Sequence, residues 1–147
     1  MTSIPPLPCL CASVRRASRA LTQLYEEALR PTGIRGPQFT VLQALSLAGQ
    51  VSQGKLGEIL AMDSTTLTRT LGILVRRGWV SRTHGSDRRE WRLGLTRKGK
   101  SQLNRAMVEW EKVQQAVEKR LGGKRLLELF RVADEITAIA QNQGGLL

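Results

Sequence analysis

The stretch Asp87-Arg88-Arg89-Glu90-Trp91-Arg92-Leu93-Gly94-Leu95-Thr96-Arg97-Lys98-Gly99 constrains the fold more tightly than any other part of the chain. It reads as a charged turn, then an alternating strand with Trp91, Leu93 and Leu95 on one face, then a helix start capped by Thr96. Immediately before it, Trp79 to Thr83 has the composition of a partner strand, and His84-Gly85-Ser86 supplies turn chemistry between the two. The pattern predicts a β-hairpin with arginines at its tip. From Arg76 to Lys100 there are nine basic residues against two acidic ones, a local charge of +7 within a total of +11.

Such a charge points to a polyanionic partner. A membrane surface fits poorly, because the charge is not laid along one basic amphipathic helix. No apolar run approaches the ~20 residues of a membrane span. Residues Met1 to Pro8 have neither a basic n-region nor an apolar h-region, so no secretory signal is expected and the expected location is cytoplasmic. With 147 residues the chain suits one domain, and an aromatic content of only 4% beside abundant Leu and Ala favours helices packed on helices.

Three parts follow from the periodicity. From Cys9 to Arg30 the residues Leu10, Val14, Ala17, Leu21, Leu24 and Ala28 recur at spacings of four and three, a narrow apolar seam on one helix ended by Pro31. A second helix is predicted from Pro37 to Ala48, with Phe39, Val41, Leu42, Leu45 and Leu47 as core. Next comes a short helix with Ser52 as N-cap and Leu56, Ile59 and Leu60 facing inward. After a break at Ala61-Met62, Asp63 caps a further helix through Arg77, ended by Gly78. Two short helices joined by a three-residue turn make a helix-turn-helix, and a basic hairpin directly after it makes a winged one. The last third reads as a helix from Arg97 to Leu121 with Trp110 in its seam, roughly 37 Å long, a break at Gly122-Gly123, and a helix from Lys124 to Gln141. That length exceeds what a small winged domain needs for its own core. Both termini are therefore expected to form a separate helical layer, most simply a dimer interface.

The expected fold class is mainly α with a small β-hairpin wing. Residues 1–35 form an N-terminal dimerisation helix, 36–96 the winged helix-turn-helix and 97–147 the C-terminal dimerisation helices of one intertwined domain. The second helix of the pair exposes Ser64, Thr65, Thr66, Thr68 and Arg69 on its first two turns, residue types that hydrogen-bond base edges and phosphates in a major groove. Arg88 and Arg89 at the hairpin tip extend that surface. Lys55, Arg97 and Lys98 are candidates for phosphate contacts, which add affinity and salt dependence without reading sequence. His84 is read as a turn residue.

This order of elements resembles the MarR family of bacterial transcription regulators over almost the whole chain. Thr66-Leu67-Thr68-Arg69 followed by Arg77-Gly78-Trp79-Val80 looks like that family's helix end and first wing strand. The wing pattern of an Asp, any residue, an Arg, and downstream a Leu-Thr-x-x-Gly is matched by Asp87, Arg89, Leu95, Thr96 and Gly99. The resemblance implies a homodimer with interlocked terminal helices, reading successive major grooves of a near-palindromic double-stranded operator. It further implies that Arg89 enters the minor groove and that Asp87 supports the wing by pairing with a neighbouring arginine.

Cys9 and Cys11 are the only cysteines, and they open the first helix. Three readings stay open: small buried hydrophobes, redox-sensing thiols, and capture of a thiophilic metal or metalloid. Leu10-Cys11, Ala17-Ser18-Arg19, Thr22 and Tyr25 resemble the start of the organic-hydroperoxide-sensing OhrR branch. That resemblance makes Cys11 the peroxide-reactive thiol and Tyr25 a residue that engages it, although two other tyrosine positions of the branch hold Arg15 and Gly36. A helix N-terminus favours thiolate, and Arg15 lies one turn on. Cys9 is a candidate resolving thiol, with a bridge across a dimer easier than one between residues two apart. As a metal site, Cys-x-Cys offers two thiolates where zinc usually takes four ligands.

One histidine, no clustered carboxylates, no Gly-rich phosphate loop and no nucleophile motif argue against an enzyme, and no cofactor is expected. The function expected is a sequence-specific DNA-binding repressor released by a small-molecule, oxidant or metal effector. Two alternatives stay open: a nonspecific architectural DNA binder, and a winged-helix module for protein or RNA.

Overall fold

The computed structural model describes residues 8–87 and 90–142. Six α-helices and three short strands follow in the order α1 (Leu10–Leu29), α2 (Gly36–Ala48), β1 (Val51–Ser52), α3 (Gln53–Leu60), α4 (Ser64–Arg76), β2 (Val80–His84), β3 (Trp91–Leu95), α5 (Arg97–Leu121) and α6 (Gly123–Gln141), with a 3-10 turn at Arg30–Thr32 after α1. No helix among the described residues is long and apolar enough to cross a membrane.

The winged lobe is built around α2. This helix buries Phe39, Val41, Leu42, Ala44 and Leu45, but Leu47, expected in the core, is 85% exposed near its C-terminal end. Its first turn carries Pro37, where a missing N–H costs nothing. The Gly36 N–H donates to Glu26 Oε1 at 2.6 Å, tying the end of α1 to the start of α2. Leu56 of α3, Leu67, Leu71 and Leu74 of α4, and Leu93 of β3 close over α2 in one cluster. Ile59, expected inward, is 48% exposed. The correction is geometric: α3 is barely two turns long, and Leu56 and half-buried Leu60 already fill its inner side.

Both helices of the helix-turn-helix start on side-chain caps. Ser52 Oγ accepts from the Lys55 N–H at 3.2 Å, and Asp63 Oδ1 from the Thr66 N–H at 2.8 Å. Between them Ala61 takes a left-handed conformation (φ 47°), which lets the Met62 N–H donate back to the Gly57 carbonyl at 3.0 Å. This closes α3 in a single turn.

The hairpin pairs as expected, from Val80 opposite Leu95 to His84 opposite Trp91. A third strand was not foreseen. Val51 and Ser52 pair with Leu93 and Arg92, so β3 lies central in the order β1-β3-β2. Along the face that Trp91, Leu93 and Leu95 share, Leu93 is fully buried, but Trp91 is 41% exposed because the wing extends past the core. Its ring packs at a tilt against His84 at 4.1 Å between centroids, and the Arg82 guanidinium lies 5.0 Å from its centre. His84 is accordingly the last residue of β2 rather than part of the turn.

The Leu95-Thr96-x-x-Gly99 segment joins the wing to α5. Thr96 Oγ1 accepts from the Gly99 N–H at 2.9 Å and donates to the Gly78 carbonyl at 2.6 Å, while its own N–H donates to the Trp79 carbonyl at 3.1 Å. A Cβ on Gly99 would overlap that Trp79 carbonyl oxygen. Gly78, at φ +72°, makes the turn that ends α4. Farther along α5, Leu103 and Ala106 join the core, and Trp110 packs on Phe39 at 6.2 Å.

The termini form a different layer. The seam of α1 faces away from the chain's own core: Leu10 is 67% exposed, and Val14, Leu21 and Leu24 are also exposed. On α6 only Leu126 is buried, while Leu127, Leu129, Phe130, Val132 and Ile139 are exposed. Contiguous apolar surface on this scale marks an interaction site.

Gly99→Ala is expected to lower the unfolding free energy by about 2 kcal/mol or more, since backbone rather than a flexible side chain meets the added methyl. Thermal denaturation measures it, and an unchanged Tm would contradict this account of the junction.

Candidate nucleic-acid interface

The first two turns of α4 present one exposed polar surface. Ser64, Thr65, Thr68 and Arg69 are exposed, while Leu67 and Thr70 point into the lobe. Thr66 is half-buried and occupied by the cap: its hydroxyl donates to Asp63 Oδ2 at 2.6 Å. Those hydrogen bonds, the Thr66 hydroxyl first and the Thr66 N–H second, hold the Asp63 carboxyl below the usual carboxylate range. Thr68 is engaged too. Its hydroxyl oxygen accepts from the Gln53 side-chain amide at 2.8 Å, a contact from the start of α3 that no periodicity in the sequence signals. Lys55 is exposed on α3 and pairs with Glu58 at 3.1 Å, a surface ion pair of little energetic weight.

Beside this helix stands the wing. Its turn is closed by the Glu90 N–H donating to the Asp87 carbonyl at 2.9 Å and the Gly85 N–H donating to the Glu90 carbonyl at 2.8 Å. Arg88 and Arg89 lie outside the described residues. At the wing's base, Arg97 and Lys98 are exposed on the first turn of α5. The cluster of Arg82, Trp91 and His84 went unrecognised in the sequence, because alternation groups residues on a face without showing what lies over it.

The cysteines sit at the far end of the chain. Cys9 occupies the cap position of α1 and Cys11 lies in its first turn. Both are free and exposed, so burial in the chain's own core does not explain them. The Arg15 guanidinium donates to Cys11 Sγ at 3.4 Å. Tyr25 does not reach Cys11. It stands fourteen residues along the same straight helix, roughly 21 Å away, and its hydroxyl donates to Gln114 Oε1 of α5 at 2.7 Å. Burial there holds the hydroxyl above its ordinary pKa. Among the described residues no group of three or more His, Cys, Asp or Glu could hold a metal ion.

Comparison with known proteins fits this geometry. The profile of the MarR family matches residues 34–91, from just before α2 to the first residue of β3. The transcriptional regulator MosR of M. tuberculosis, solved in complex with DNA, matches with a TM-score of 0.81 at 34% identity, over 90% of this chain and 96% of that one. The chain belongs to the MarR family. As a MarR-family protein it is a winged helix-turn-helix transcriptional regulator, as its hairpin and helix pair led one to expect. Two Bacillus subtilis (strain 168) proteins are also similar. The uncharacterized HTH-type transcriptional regulator YwoH is 30% identical over 105 residues, 69% of this chain and 77% of that protein. The organic hydroperoxide resistance transcriptional regulator is 32% identical over 91 residues, 61% of this chain and 62% of that one.

Asp63 anchors the MarR-type recognition helix, and its titration gives a prediction. Its folded pKa lies below the unfolded one, so the cap's contribution is complete above the ordinary carboxylate range. It is lost as pH falls through about 4 and below. Asp63→Asn keeps an acceptor that does not titrate. Thermal melts across pH 7 to 3 should therefore show wild type losing stability on the acid side more steeply than the variant. Parallel curves would contradict the role given to Asp63.

Proposed function

We propose that this chain is a homodimeric repressor that binds a near-palindromic operator in duplex DNA and is released by modification of its N-terminal thiols. The observation that carries the reading is the exposed row of Ser64, Thr65, Thr68 and Arg69 on a capped helix beside a basic wing. Hydroxyls and a guanidinium on the first turns of such a helix suit base edges and phosphates of a major groove. In this reading Thr66 holds the cap, Lys55 of α3 touches the phosphate backbone, and on the wing that Asp87 supports Arg89 enters the adjacent minor groove while Arg88 adds a further DNA contact. The reading gives the protein no catalytic role and places it in the cytoplasm, where the operator is.

The dimer is supported by the uncovered apolar faces of α1 and α6. Pairing two chains through residues 1–35 and 97–147 would bury these faces and fix the spacing of the two winged lobes, which residues 36–96 form. Two copies related by a dyad would then meet two half-sites about one helical turn apart.

The thiol reading rests on Cys11, exposed and with the Arg15 guanidinium against its sulfur. In the reaction proposed, the Cys11 thiolate attacks the terminal oxygen of an organic hydroperoxide. The O–O bond breaks, an alcohol leaves, and a sulfenic acid forms. Cys9 of the dimer then condenses with it to a disulfide, releasing water. Tyr25 serves the helical layer through Gln114 in its own chain, so any contact it makes with a thiol would be with the other subunit's.

Two outcomes are expected. Arg89→Ala should weaken operator binding more than tenfold while sedimentation still reports a dimer, and wild-type affinity would remove the wing from the interface. Cys11→Ser should bind the operator as wild type does, yet stay bound after stoichiometric cumene hydroperoxide. Release of that variant by the peroxide would exclude Cys11 as the switch.

A further inference from the structure

Thr68 stands in the middle of the exposed row on α4, and its hydroxyl oxygen already accepts a hydrogen bond from the Gln53 amide at 2.8 Å. A hydroxyl has one proton to give and two lone pairs to accept with, and it rotates to suit its surroundings. A lone threonine on a recognition helix can therefore serve either a donor or an acceptor on a base edge, and it discriminates poorly. Here one lone pair is taken by an N–H from the neighbouring helix. That removes one of its two acceptor positions and turns the proton away from Gln53, so the hydroxyl is biased toward donating.

We infer that Gln53 is a specificity-determining positioning residue: it biases the Thr68 hydroxyl toward donating, so that a base presenting an acceptor beneath Thr68 is favoured. In the major groove the acceptors are N7 and O6 of guanine, N7 of adenine and O4 of thymine. The N4 amine of cytosine and the N6 amine of adenine are donors and are disfavoured against this hydroxyl. The inference rests on the proposed reading of α4 as the DNA-contacting helix.

Local geometry supports Gln53 as a built part of that surface. It occupies the first helical position of α3, directly after the Ser52 cap, and Ser52 is itself held in the sheet opposite Arg92 of β3. The base of the Gln53 side chain is thus fixed from two sides while its amide bridges fifteen residues of sequence. Other polar groups of the helix pair are committed to its framework: Ser52 to the Lys55 N–H, the Asp63 carboxylate to Thr66, and the Thr70 hydroxyl to the Thr66 carbonyl. The Gln53–Thr68 bond is different, because it joins side chains of the two helices and caps neither.

The sign of the effect is testable by reversing the bond. In Gln53→Glu the carboxylate only accepts, so Thr68 must turn its proton toward it and offer a lone pair to the DNA. The operator half-site is substituted one base pair at a time, and anisotropy titrations give the affinity of each substitution relative to the parent duplex. Taking ratios within one variant removes any general loss from the added negative charge.

Thr68→Val should lose discrimination at one or two adjacent positions, by roughly three- to tenfold. Gln53→Ala should lose discrimination at the same positions, and Gln53→Ala in the Thr68→Val background should change nothing further there. Gln53→Glu should shift preference at those positions from acceptor-bearing to donor-bearing edges. Melting temperatures confirm folding, since both sites are at the surface.

If Thr68→Val leaves every ratio unchanged, Thr68 reads no base, and both the α4 reading at this position and the inference fail. If Thr68→Val acts but Gln53→Ala acts elsewhere, additively, or equally on operator and random duplex, only the inference is overturned. In that case Gln53 is a separate contact to DNA.

Discussion

One junction sets the geometry of this molecule: the Thr96 hydroxyl and the bare Cα of Gly99 packed against the backbone at Gly78 and Trp79. Three chain segments meet there, the end of α4, the start of the wing and the start of α5. The contact is backbone on backbone, so a side chain at residue 99 would have to push the wing and the long helix apart. Because α5 also carries the outer helical layer, any rotation of that layer is passed to the recognition helix through a rigid connection. Arg77 reinforces it from the other side, donating to the Gly33 carbonyl at 2.8 Å while its guanidinium lies over Trp79. Gln102 does the same within the core, donating to the Thr32 carbonyl at 2.7 Å.

In the proposed reading, this junction would give the N-terminal thiols a route to the DNA. A covalent change on α1 alters binding only by the difference in free energy it makes between two arrangements of the lobes. The seam of α1 is apolar, narrow and exposed, while Tyr25 ties the helix to α5 through Gln114. An oxidised, polar or cross-linked sulfur at its first turn would disfavour one packing of the dimer layer, and the stiff α5 would carry the difference to both winged lobes.

Much of this was legible in the sequence because the signals are local. The caps at Ser52, Asp63 and Thr96 are side-chain-to-backbone contacts three residues long, and each formed as read. Period-two alternation found the strand of the wing, and the spacing of Leu67, Leu71 and Leu74 found the buried side of the recognition helix. What escaped depends on distant partners. Two residues of β1 carry no periodicity and become a strand only because β3 lies beside them. Leu47 and Ile59 were assigned inward by pattern, whereas exposure is decided by where the core ends. The Gln53–Thr68 bond spans a turn, and the Tyr25–Gln114 bond spans 89 positions. The seam on α1 states that a face is to be covered, but not by which chain.

The central claim is that this surface reads sequence rather than charge alone. It is tested most directly by fluorescence anisotropy of the reduced protein on duplex from upstream of its own gene and on random duplex of equal length and label, at matched salt. The account predicts binding to the former about a thousandfold tighter, saturating at two chains per site, with both affinities falling steeply as salt rises. Equal affinity for the two duplexes at every salt concentration would contradict it and leave a basic, nonspecific DNA-binding protein.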